Sequence, residues 1–281
     1  MSLRTSGIMD DRKFNFSETT FAFGLTHDFL RSIPRRYHST LIAPSTYEEG
    51  KLGYDLEIQL PGVLVLLQFK ISEIMFRRYQ EKHVVQNPFY KFKLRHERNH
   101  AGSWGYTQHE LLLEWASLSP NDPLISNVCY VAPFFHTLRR FHDLFSGPNG
   151  EVLKHSVFAN VLEFPSISRG KHHVSYDTNS RGWCFSEPNE VPFMTWDQFL
   201  NDVSSNLTKR EENLKSIINR TWKALKRAIE NSNALKDTLF QEQSKDFDND
   251  LSVDEMLRVI ANFIFITTGG FLFVIQPSTN N

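Results

Sequence analysis

Gly53-Tyr54-Asp55-Leu56-Glu57, followed by Val63-Leu64-Val65-Leu66-Leu67-Gln68-Phe69-Lys70, decides how this chain reads. The second stretch is apolar almost throughout, which predicts a strand buried on both faces. Pro61-Gly62 marks a turn, so the pattern predicts two consecutive strands, 54–59 and 63–70. Asp55 opens the first. Gln68 and Lys70 end the second, two apart and therefore on one face. A buried strand that ends in two polar groups on one face is placing them at a site. The expectation is a carboxylate, an amide and an ammonium delivered to a shared point.

Working outward, Ser17 is a good N-cap with Glu18 in the first turn, and Phe21, Leu25, Phe29 and Leu30 recur at helical spacing up to Pro34. Leu41-Ile42-Ala43 makes a short strand. Residues 71–88 are basic and mixed, a helical turn and loop. Beyond them Phe89, Lys91, Lys93 and Arg95 alternate with Tyr90, Phe92 and Leu94, a strand pattern. A helix from Thr107 to Leu118, a buried strand from Val128 to Ala132 and a helix from Phe134 to Phe145 follow. This order predicts an α/β fold with a mixed central sheet flanked by helices over 17–146. Residues 147–281 read as β-pieces (157–164, 172–176, 182–185), a long amphipathic helix from Trp196 to Ile229 and a last helix and strand. That helical C-terminal part is either separate from the core or continuous with it. The stretches near 147–150 and 188–195 are the candidate boundaries.

Composition excludes several classes. With 40% hydrophobic and 22% charged residues the 281-residue chain buries a real core and is not disordered. The 24 phenylalanines imply thick aromatic packing, and a net charge of -1 means that any surface for nucleic acid must be local. Two cysteines, Cys129 and Cys184, and a polar N-terminus predict a reducing, cytoplasmic setting. The apolar tail 259–275 is broken by Asn262, Thr267-Thr268 and Gly269-Gly270, and reads as a buried helix, a turn and a core strand rather than a membrane span. No phosphate-binding Gly-rich loop, zinc-ligand spacing or dinucleotide fingerprint occurs.

The Asp, Gln and Lys set suits phosphodiester hydrolysis, which needs an activated water, a phosphate clamp and help for the leaving oxygen. Divalent ions held by oxygen ligands supply most of this. Asp55 would be the central metal ligand and Gln68 would offer its amide oxygen. Glu49 or Glu48, or Glu18 on the first helix, would complete the shell. Lys70 would orient the water or hold the phosphate as a point charge. Gln108, opening the next helix, is placed to touch the phosphate or Lys70.

Helix, three strands, helix, strand, with Asp55 on the second strand and Gln68-Phe69-Lys70 on the third, resembles the PD-(D/E)XK restriction-endonuclease-like superfamily, in the Mrr-type variant with Gln for the acid. The resemblance spans about residues 17–146. It implies a restriction-endonuclease-like core and Mg²⁺ (or Mn²⁺) bound by Asp55 and Gln68, with hydrolysis assisted by Lys70. By analogy it also implies a place in bacterial anti-phage defence, as an oligomer or with a partner protein. The chain departs from the commoner pattern in having no Pro before Asp55 and no acid at 68.

A local basic surface accompanies the motif. Arg77, Arg78, Lys91, Lys93 and Arg95, interleaved with aromatic residues, are the expected nucleic-acid contacts, for DNA ahead of RNA. The alternative is a catalytically inactive protein of nuclease fold that binds nucleic acid or serves as an assembly subunit. A Gln at 68 and near-neutral charge favour it. No membrane partner is expected.

Overall fold

The computed structural model describes residues 15–42, 62–76, 88–94, 108–117, 127–147, 151–164, 172–185, 189–209, 213–231, 251–268 and 270–277. In chain order these form α1 (Glu18–Ser32), β1 (Tyr37–Ile42), β2 (Val63–Phe69), β3 (Glu73–Met75), β4 (Phe89–Leu94), α2 (Gln108–Ser117), β5 (Asn127–Pro133), α3 (Leu138–Phe145), α4 (Glu151–Lys154), β6 (Ser156–Asn160), β7 (His172–Tyr176), β8 (Arg181–Phe185), β9 (Asn189–Pro192), α5 (Trp196–Lys209), α6 (Leu214–Asn231), α7 (Val253–Thr268) and β10 (Phe271–Pro277). They build two five-stranded sheets, ordered β1-β10-β2-β5-β6 and β3-β4-β7-β8-β9. The first is mixed: β2 runs parallel to β5, with Val65 opposite Asn127 and Phe69 opposite Val131, and every other pairing is antiparallel. The protein is therefore α/β, as its pattern predicts.

Strand β2 is buried at every position, and its alternation feeds two cores. Val63, Val65, Leu67 and Phe69 face a layer made by α1, α3 and α5, through Phe21, Leu25, Phe29, Phe141 and Phe199. Leu64 and Leu66 face the other way, toward the second sheet (Phe92, Val174, Tyr176) and the helices α2, α6 and α7. Aromatic rings fill the first layer, with Phe29 and Phe273 4.7 Å apart and Phe158 stacked on Phe199 at 4.6 Å. Helix α1 starts where its cap predicts, Ser17 Oγ accepting from Thr20 N at 3.0 Å.

The structure differs from the expectations in strand pairing and in helix length. Strand β2, expected to follow directly on a strand over 54–59, is paired with elements distant in sequence. Its two edges are filled by β10 and β5, so a preceding strand has no edge of β2 to join along Val65–Leu67, where both ladders run. Residues 54–59 themselves lie outside the described residues. In the region near 188–195, β9 pairs with β8, and Met194 bridges Phe158. Beyond 147–150, β6 extends the first sheet beside β5, and β10 enters it between β1 and β2. The long helix from 196 is two helices, α5 and α6, the second capped by Asn213, whose Oδ1 accepts from Ser216 N at 2.9 Å. Among the described residues no helix is long and apolar enough to cross a membrane.

Candidate functional site

At the C-terminal end of β2, Gln68 and Lys70 follow Leu64 and Leu66 onto the inter-sheet face. The ladder to β5 carries on one step past the strand, Lys70 N donating to Val131 O at 2.9 Å, so the lysine backbone is fixed. Each of the two side chains is only 2% exposed. Stripping water from an ammonium costs several kcal/mol unless polar partners replace it. Here Lys70 Nζ donates to Gln108 Oε1 at 2.6 Å and sits 5.5 Å from the centroid of the Tyr130 ring, whose π face favours a cation.

Gln108, at the start of α2, uses its other end as well: Nε2 donates to the Thr268 carbonyl oxygen. Thr268 closes α7 and is itself held, its hydroxyl donating to Ile264 O at 2.7 Å and accepting from Gly270 N at 3.1 Å. Tyr130 is steadied by His109, the ring stacked on it and Nδ1 3.1 Å from the phenolic oxygen. Burial first, and the nearby Cys184 second, raise the Tyr130 phenol above its ordinary range, so it is neutral at pH 7. Next along the chain, Ser72 Oγ donates to Tyr176 OH at 2.5 Å, and Tyr176 OH donates to Pro133 O at 2.6 Å, tying the second sheet to the end of β5.

Gln68 is satisfied on one side only. Its Nε2 donates to the Phe69 carbonyl at 3.2 Å, while Oε1 is buried with no hydrogen-bond partner among the described residues. A carbonyl only accepts, so the atom facing it must be nitrogen, and the amide oxygen is the one turned outward. A buried acceptor left without a donor costs about 1–3 kcal/mol. A hard cation or a donor hydrogen would satisfy it.

Of the residues expected at the site, Lys70 and Gln108 meet directly and Gln68 ends the same strand on the same face. Asp55, Glu49, Arg77, Arg78 and Arg95 lie outside the described residues. Glu18 opens α1, which packs on the opposite, Phe69 face of the sheet, Phe21 against Phe69. It is not placed beside Gln68. Lys91 and Lys93 alternate with the inward-facing Tyr90, Phe92 and Leu94, so they occupy the far face of the second sheet, opposite Glu73 and His173. Among the described residues no group of three or more His, Cys, Asp or Glu side chains could hold a metal. Gln68 Oε1 fits as one neutral oxygen ligand, and the negative charge would have to come from Asp55 and Glu49.

Chain length permits that arrangement. From Gly62 to Gln68 is six strand steps, about 20 Å at 3.3 Å each, and the seven steps from Asp55 to Gly62 span up to about 25 Å fully extended. Two participants escaped sequence reading. Thr268 acts through a backbone carbonyl, which leaves no signature in side-chain type. Tyr130 had a signal, a phenol inside an apolar strand, whose hydroxyl must find a partner when buried.

Comparison with family models, curated proteins and solved structures finds no match for this chain.

Proposed function

We propose that the chain is a metal-dependent nuclease that hydrolyses phosphodiester bonds of DNA at the end of β2. The observation that carries this reading is a buried ammonium, Lys70, two residues along the same strand face from a buried amide oxygen, Gln68 Oε1, that lacks a donor among the described residues. The side chains of Gln68, Lys70 and Gln108 together carry a single positive charge, which suits a phosphate. A bound Mg²⁺ or Mn²⁺ would supply Lewis acidity and lower the pKa of a water. Gln68 would give that ion a neutral oxygen, and Asp55 and Glu49 the charge. Lys70 holds a non-bridging phosphate oxygen as a point charge, and Gln108 keeps the ammonium in place.

A second reading is a nuclease-fold protein that binds nucleic acid without cutting it. It is favoured by the burial of Lys70 and by the Gln108 contact that already engages it. Nicking of supercoiled plasmid with Mg²⁺ or Mn²⁺ separates the two. The expected result is metal-dependent nicking that falls about 10²-fold or more in Lys70→Met, the loss typical of removing one charge-stabilising group. No cleavage by wild type with either metal overturns the nuclease, and full activity in Lys70→Met overturns the placement of its chemistry at the end of β2. A gel shift retained in Lys70→Met would then leave the binding protein standing.

A further inference from the structure

We infer that Gln108 is a positioning residue that ties the Lys70 ammonium to the α7–β10 junction, so that the C-terminal segment of the chain sets the geometry of the site at the end of β2. This rests on the nuclease reading for its consequence but not for its geometry. The Gln108 amide faces an ammonium with its oxygen and a carbonyl with its nitrogen. The first partner only donates and the second only accepts, so the amide has one orientation and neither end can be exchanged.

The far anchor is stiff. Thr268 is 1% exposed and its hydroxyl spans Ile264 O and Gly270 N. Gly270 lies so close to β2 that an added Cβ would come within 2.8 Å of Leu66 Cδ1 and 3.2 Å of the Leu67 carbonyl. From there β10 pairs directly with β2, Phe271 opposite Leu67. The carbonyl that orients Gln108 is thus fixed to the same strand end that carries Gln68 and Lys70, and α2 closes the loop between them.

The choice of an amide has a chemical meaning. A glutamate of the same length would hold Lys70 more strongly, but it would cancel the positive charge and set a carboxylate oxygen against the Thr268 carbonyl. Glutamine holds the ammonium without adding a negative charge of its own. Length alone therefore does not satisfy position 108, and neither does hydrogen bonding to Lys70 alone.

The test uses the full-length protein with Gln108→Met, which keeps the length without the hydrogen bonds, and Gln108→Glu, which keeps the shape. Two readouts are taken: kcat and KM for plasmid nicking with Mg²⁺, and the side-chain ammonium resonance of Lys70 in ¹⁵N-lysine-labelled protein, assigned by its loss in Lys70→Met. Both variants should turn over at least about 10-fold more slowly than wild type, while KM stays within about 3-fold, since a misplaced charge is felt in the transition state. The Lys70 resonance should shift in Gln108→Glu and broaden or vanish in Gln108→Met. A folded variant of either kind that keeps both the wild-type turnover and the wild-type Lys70 resonance overturns the inference. If wild type does not cleave, the nuclease reading falls and the resonance alone decides. Should Gln108→Met fail to fold, Gln108→Glu decides by the same two measurements.

Discussion

Gly270→Ala weighs two opposed effects at the junction of α7 and β10. The backbone there lies outside the left-handed region, so alanine can adopt it, and a less flexible unfolded chain would by itself add about 0.4–1 kcal/mol of stability. The new methyl has no room, however. It would sit 2.8 Å from Leu66 Cδ1, 3.0 Å from Thr268 Oγ1 and 3.2 Å from the Leu67 carbonyl oxygen. Leu66 is fully buried, and the Leu67 carbonyl belongs to a strand bonded on both edges, so neither neighbour can simply turn away. Overpacking of this kind costs about 1–3 kcal/mol. With two neighbours at 3.0 Å or less the upper part of that range, about 2–3 kcal/mol, applies; the clash wins, leaving a net loss of about 1–2.6 kcal/mol, a fall in Tm of about 2–10 °C at 2–4 °C per kcal/mol. Thermal unfolding followed by circular dichroism measures it. A variant that melts at or above the wild-type temperature would show that the junction is looser than its contacts imply. The coupling of this turn to Lys70 would fail with it.

Ser180, in the turn between β7 and β8, has φ of 59°, where a side chain is strained. Ser180→Gly should raise stability by about 0.5–1 kcal/mol in urea unfolding, the strain relieved less the cost of a freer unfolded chain, and a destabilised variant would contradict this. Burial pushes the Cys184 thiol up to about 11 and moves Cys129, Tyr90, Tyr130 and Tyr176 the same way. The unfolded chain releases these protons first, so stability should be whole below about pH 8.5 and decline toward pH 11; urea midpoints that are equal at pH 8 and 10.5 would refute it.

What the sequence made legible was local. Ser17, the Phe21-Leu25-Phe29 stripe and the apolar runs of β2 and β5 each carry their structure in neighbouring residues, and the elements appear where those patterns put them. Strand β9 was hidden because Asn189–Pro192 has three exposed positions and ends in proline, features an edge strand tolerates and a linker also shows. Strand β3 has only three residues and offers no period to count. The break between α5 and α6 did have a marker, Asn213 in a capping position, which the continuous amphipathic stripe obscured. The place of β10 was beyond any local rule. Its apolar run announces a core strand, but insertion between β1 and β2 depends on pairing with residues far upstream.

The same division runs through the candidate site. Gln68 and Lys70 stood out because they interrupt an apolar strand, and Gln108 because it opens a helix. What the pattern invites next is a search for acids near the lysine, since a buried ammonium calls for compensation. The described surroundings answer with neutral groups: an amide oxygen, the face of a phenol ring, and behind the amide a main-chain carbonyl. Each is weaker than a carboxylate, and each helps to locate the ammonium while adding no charge of its own. A divalent ion needs negative ligands that neither Gln68 nor Gln108 supplies, so the proposed task of Asp55 is the ion, and that of Lys70, which Gln108 engages through one of its three donors, is the phosphate. That assigns separate tasks to charges that a motif of acid, amide and lysine leaves undivided, and it is why Lys70 and Asp55 should fail differently: loss of the lysine at any metal concentration, loss of the acid with partial recovery as Mn²⁺ is raised.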